Sequence, residues 1–244
     1  LIPFANVVNA GSRATAATGL SPTRVYNGVT QHLITCVTER TGTNAYTDAA
    51  PGPSAYVGAS NQGHTTENYD SEGGCDRSNS SATLPEVMPL TADKRALLAQ
   101  IDSFTPGGST AGHLGTAWAW YTIAPAWSSF WGLSTPVASY SDREVLKAVV
   151  LMTDGEYNTQ YSTEDSKTQA MELCRSMKAA GVTVFTVGFG FASSGDSVAR
   201  DTLTQCASGT GHYFFPYDGE ALRTAFIQIG QQLSALGGSA RLVN

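Results

Sequence analysis

The chain has 244 residues, 41% hydrophobic and only 14% charged, with a formal net charge of −6. That length allows one large domain or two small ones. The lack of a long uncharged apolar run excludes a transmembrane helix in this stretch, and the lack of any Lys/Arg block argues against nucleic acid or an anionic membrane surface as partner. Low charge beside abundant Gly, Ser, Thr and Asn describes a surface met more often outside the cytoplasm.

LIPFANVVNAG, at the start, predicts a strand entering a turn, with no basic start or cleavage site of a leader. Residues 12–89 are poor in apolar runs and rich in turn formers, so a long irregular insertion is expected there rather than a second domain. A structureless connection of that length is either functional or tied down. Asn79, Ser80 and Ser81 form a glycosylation sequon, a pattern common by chance.

Regular structure is expected from Thr91, an N-cap for a short helix with an apolar stripe of Leu97, Leu98 and Ile101. FTPGGSTAGHLGTAWAWY runs from a Gly-rich turn into a second helix, and KAVVLMTDG is a strand whose apolar run suits burial on both faces. Next come a helix with a capping box at Ser162 and Asp165, the apolar strand VTVFTVGFG, a short helix over 199–206, the strand HYFFPY, and a last helix carrying Leu222, Phe226, Ile229 and Leu233. Strands alternating with helices predict a doubly wound α/β fold, with a mainly parallel sheet and helices on both faces.

Four cysteines allow three pairings. Cys36 and Cys75 bracket the polar insertion, while Cys174 and Cys206 fall in helices flanking one strand, so we expect disulfides 36–75 and 174–206. The other reading is four buried thiols in a cytosolic protein.

Ligands of such sheets bind beyond the carboxyl ends of the strands. Asp154 and the loop of Gly107, Gly108, Ser109 and Thr110 are expected at that edge, where burying the carboxylate is costly unless something pairs with it. The alternative role for Asp154 is to cap its own turn. His32, His64, His113 and His212 are scattered without metal-ligand spacing, and no nucleophile elbow, zinc-protease helix or P-loop occurs. His113 is either a ligand contact or a helix-start histidine bonded to backbone. Trp127 and Trp131 are either partner contacts or core.

The strand ending in TDGE and the loop PGGSTAG resemble the von Willebrand factor A domain. With MPLTADKRALLAQI and GGSTAGHLGTAWAWYTIAPAW, they resemble more narrowly the TadG-like proteins of tight-adherence pilus assembly. The resemblance implies one A-type domain over 1–244 and a non-enzymatic, extracytoplasmic adhesion or assembly module in the periplasm or at the cell surface. It implies a Mg²⁺ or Mn²⁺ site with Asp154 and Thr110, or Ser109 in its place, as ligands, and a protein partner whose acidic side chain completes the cation's shell. Glu156 joins His113, Trp127 and Trp131 as a candidate partner contact. The family's first strand, with its Asp-x-Ser-x-Ser ligands, does not occur in these residues and is expected upstream of Leu1. Two other readings remain: a display domain with a vestigial metal site, and a metal-dependent hydrolase using Asp154, Glu156 and Asp165.

Overall fold

The computed structural model describes residues 1–60, 68–75, 84–105, 107–191 and 197–237. The sequon at 79–81 lies outside them. In chain order the elements are β1 (Val8–Asn9), α1 (Ala14–Thr18), β2 (Thr23–Tyr26), β3 (Val29–Leu33), β4 (Cys36–Val37), β5 (Tyr69–Asp70), α2 (Lys94–Asp102), α3 (Gly112–Ile123), α4 (Ser128–Trp131), β6 (Ala148–Thr153), α5 (Ser166–Ala179), β7 (Thr183–Gly188), α6 (Ser197–Cys206), β8 (Tyr213–Phe214) and α7 (Gly219–Leu236).

The carboxyl-terminal part is the doubly wound unit expected. Strands β6, β7 and β8 pair in parallel in that order. Thr183 N–H donates to the Lys147 carbonyl at one end of the β6–β7 ladder and Phe189 N–H to the Thr153 carbonyl at the other. The odd-numbered residues of β6 therefore bond to β7. Val149 and Leu151 face the core shared with α3 and α5, whereas Phe185 and Val187 face Ile229 of α7. Helices thus cover both faces.

One edge departs from the expectation of a strand buried on both faces. Among the described residues, the main-chain groups of Ala148, Val150 and Met152 point away from β7 and meet no partner strand. The side chains of Val150 and Met152 are 37% and 38% exposed, because α7 lies over β7 and β8 and leaves this corner uncovered.

The described residues of the insertion at 12–89 form more regular structure than its composition suggests. β2 and β3 form a hairpin closed by Asn27 and Gly28, both left-handed (φ 50° and 76°), the backbone that a two-residue hairpin loop demands. β3 also pairs with β5, and β1 pairs antiparallel with β4. The Cys36–Cys75 disulfide ties β4 to the far end of this segment. Helix α2 differs too. Asp93 is its N-cap, Thr91 Oγ1 instead accepts from Asp93 N–H, and Leu98 and Ile101 stay about half exposed.

Helix α3 is buried nearly all round and anchors an aromatic cluster. Trp118 meets Tyr121, Trp127 and Trp131 edge-on, and Tyr121 stacks on Trp127 with centroids 4.2 Å apart. The polar rim of the cluster is satisfied: Trp127 Nε1 donates to the Asp48 carbonyl and Trp131 Nε1 to the Tyr121 carbonyl. Trp127 and Trp131 are therefore core residues, 0% and 3% exposed, and offer no surface to a partner.

Helices α5 and α6 pack side by side on one face of β7, and Cys174 and Cys206 are bonded there with Cα atoms 5.0 Å apart. Replacing both with Ala is expected to lower stability by about 3 kcal/mol, through restored freedom of the unfolded chain. Urea unfolding measures this, and an unchanged midpoint would overturn it.

Candidate site at the carboxyl edge of the sheet

Parallel strands end on one side, so the residues after Thr153, Gly188 and Phe214 share an edge. Thr153 is buried and its Oγ1 accepts from Gly155 N–H, which turns the chain sharply at Asp154. The capping role considered for Asp154 thus belongs to Thr153. The Asp154 side chain is exposed rather than buried, and among the described residues its carboxylate has no hydrogen-bond partner. The cost of burial that motivated a cation at this position is therefore absent.

Thr110 comes to the same place from the other loop. A Cβ added to Gly155 would lie 2.9 Å from Thr110 Oγ1, so only glycine permits so close an approach. Asn158 stitches the two loops together. Its Oδ1 accepts from Thr110 N–H at 2.9 Å, and its own N–H donates to the Thr110 carbonyl at 3.0 Å. Tyr157 lies against Gly112, where a Cβ would fall 2.1 Å from its ring. Thr110 is half-buried and Ser109 exposed, and only Thr110 is tied to the Asp154 loop by these bonds. Glu156 is exposed beside them. Asp165 is committed elsewhere, as the N-cap of α5 accepting from Thr168 N–H.

His113, considered as a partner contact, is 1% exposed and faces inward. Its Nδ1 lies 2.8 Å from Ser166 Oγ, and its Nε2 lies 3.4 Å from Glu39 Oε2. A Ser–His–Glu constellation is thus assembled from three distant parts of the sequence. Ser166 is fully buried and the cavity beside the cluster has a volume of only about 10 Å³, which leaves no room for a substrate. The cluster is structural.

The comparison with known families gives the class of the domain. The von Willebrand factor type A domain matches residues 79–228, more than half of the chain. The chain belongs to that family. No curated protein matches it. Von Willebrand factor A domains are in general protein-interaction and adhesion modules, commonly with a Mg²⁺ or Mn²⁺ site, and their fold is the α/β arrangement described above.

The donors in this A domain do not by themselves fit such a cation. Mg²⁺ requires near-octahedral oxygen ligation. Asp154 and Thr110 supply one carboxylate and one hydroxyl, and no group of three His, Cys, Asp or Glu gathers among the described residues. Asn158, whose short side chain is spent on joining the two loops, was not singled out from sequence. Neither was Glu39, because no local pattern links it to residues more than seventy positions away.

Glu39 also gives the domain an acid dependence. Burial pushes its carboxyl up, but contact with His113 and main-chain N–H groups of Glu39 itself and Tyr161 outweigh this and hold it at about 2, against an ordinary 4.5. A group whose folded value is depressed contributes stability above its unfolded pKa and loses it as the pH falls through the folded one. Between pH of about 5 and about 2 the wild type should therefore lose on the order of 2 kcal/mol more than Glu39→Gln, which has no carboxyl to protonate. Urea unfolding at stepped pH checks this. Parallel acid losses in both proteins would remove Glu39 from the account.

Proposed function

We propose that this A domain is a non-enzymatic, extracytoplasmic adhesion or pilus-assembly module of TadG-like type, which binds a protein partner at the carboxyl edge of its sheet. The observation that carries the reading is the exposed Asp154 carboxylate, without a hydrogen-bond partner among the described residues, on a loop bonded through Asn158 to Thr110. Mg²⁺ or Mn²⁺ would be held by Asp154 and Thr110, with Ser109 as the alternative hydroxyl. An acidic side chain of the partner would complete the shell, beside Glu156.

The remaining ligands are assigned to a first strand preceding Leu1. The open edge of β6 supports this, since a strand laid along it would pair the outward groups of Ala148, Val150 and Met152, and a helix following that strand would cover Val150 and Met152. Two disulfides and the family fit a location outside the cytoplasm. No helix among the described residues is long and apolar enough to cross a membrane. A second reading, a display domain with a vestigial metal site, is favoured by the incomplete donor set and by the β2–β3 hairpin, whose Val25, Tyr26 and Val29 are all more than half exposed.

Calorimetry with Mn²⁺ on this chain, on a longer one including the preceding residues, and on Asp154→Ala in both, separates the readings. The short chain should bind weakly or not at all, because most of the coordination shell would remain water. The longer chain should bind through Asp154 and be stabilised in proportion to the metal concentration. Tight, Asp154-dependent binding by the short chain would show that no further strand is needed, and equal absence in both would leave the display reading.

A further inference from the structure

We infer that Glu39 is a positioning residue for the edge: a buried carboxylate, supplied by the cysteine-bracketed insertion, that fixes both loops of the candidate site. The inference rests on the edge being the binding face, and it concerns how that face is held in shape rather than what binds there.

The loop from Asp154 to the start of α5 is long and largely exposed, and such a loop samples many conformations unless its main chain is tied. Near Asp154 it is fastened to Thr110 through Asn158, at the solvent surface. Its far end is fastened inside the protein. Glu39 Oε1 accepts from both Tyr161 N–H, at 2.6 Å, and Ser162 N–H, at 2.5 Å. Glu39 is 7% exposed and both bonds are partly buried, so removing the carboxylate would leave two main-chain donors without their charged acceptor. Its other oxygen contacts His113 in the first turn of α3, and His113 in turn reaches Ser166, the first residue of α5. Thr110 stands three residues before His113. One side chain therefore holds the loop after Asp154 and the helix that begins just after Thr110.

The origin of that side chain gives the insertion a role. Glu39 follows β4 by two residues, and β4 is held by its pairing with β1 and by the Cys36–Cys75 disulfide. A carboxylate presented from a mobile segment would exchange its bonds for water. Presented from a cross-linked strand, it is preorganised.

Amide hydrogen exchange, followed residue by residue, tests this without needing a metal or a partner. Glu39→Ala should speed exchange at Tyr161 and Ser162 at least tenfold and loosen the amides from Gly155 to Asn158, while Val184–Val187 in β7 keep their protection. Glu39→Gln retains a carbonyl oxygen as acceptor and should restore most of the protection. Ile229→Ala, destabilising from the opposite face of the sheet, serves as control and should leave Tyr161 and Ser162 slow relative to global opening. Should Glu39→Ala not fold, Glu39→Asp, one methylene shorter, is expected to speed the same two amides selectively. Unchanged protection at Tyr161 and Ser162 in the alanine or aspartate variant overturns the inference, as does equal loosening by the Ile229→Ala control. If exchange behaves as expected but no longer version of the chain binds Mn²⁺, the positioning role stands and the proposed metal function fails.

Discussion

A parallel ladder cannot be closed by a short hairpin, and this constraint shapes the domain. To run β7 beside β6 in the same direction, the chain must leave at Thr153, cross a face of the sheet and return, and α5 is that crossing. The same holds for α6 between β7 and β8. Every crossing begins at one edge, so the loops after β6, β7 and β8 gather there whatever their sequences. Thr110 joins them because α3 lies over β6, on the face of Val149 and Leu151, and is entered from that edge. The proximity of Asp154 and Thr110 thus follows from topology, whereas their locked register depends on Asn158 and on the glycines that let the two loops touch.

The insertion half and the sheet half share one apolar core, in which Val8, Leu33, Val37 and Val57 cluster with Leu114, Trp118 and Leu173, and buried polar and aromatic contacts add direction to it. Arg40, next to Glu39, is 3% exposed and lies over Tyr121 and Trp127, with ring centroids 4.9 and 5.6 Å from its guanidinium carbon. Its Nη1 donates to the Thr47 carbonyl. Trp127 and Tyr140 both reach Asp48 of the insertion, through its carbonyl and its carboxylate. Tyr161 Oη donates to the Asn6 carbonyl. A cation on aromatic faces and aromatic N–H and O–H groups on insertion oxygens are directional contacts. They fix how the halves meet as well as that they meet.

The elements best foreseen from sequence were those whose period and termini agree. VTVFTVGFG, the helix through Ala170, Leu173, Cys174 and Met177, and the last helix all occur near the expected places, because an apolar run or stripe needs a core whatever surrounds it. KAVVLMTDG was right as a strand and wrong in its burial, since an apolar run states what a strand would bury and not whether a neighbour is there to bury it. The β2–β3 hairpin was missed although Asn27-Gly28 between alternating Val, Tyr, Val and Thr is a strong local signal, outweighed by the polar character of the segment around it. That the loops of Thr110 and Asp154 meet at one edge of the sheet was legible from the strand pattern and the family resemblance. His113 was singled out, but its burial against Glu39 and Ser166 was not foreseen, because a buried cluster drawn from three remote segments leaves no spacing to detect.

The two disulfides close loops that do not overlap, one within the insertion and one between α5 and α6, with separations of 39 and 32 residues. No covalent bond links the two halves across the contacts just described. Under a pulling force, as an adhesion module would experience, each bridge carries load directly and hides roughly 130 and roughly 110 Å of contour length from extension. The segments free to lengthen are those between and beyond the loops, including the run from Asp154 to Ser166. The run beside the candidate edge could therefore lengthen under load, whereas the chain inside either loop could not until its bridge was reduced.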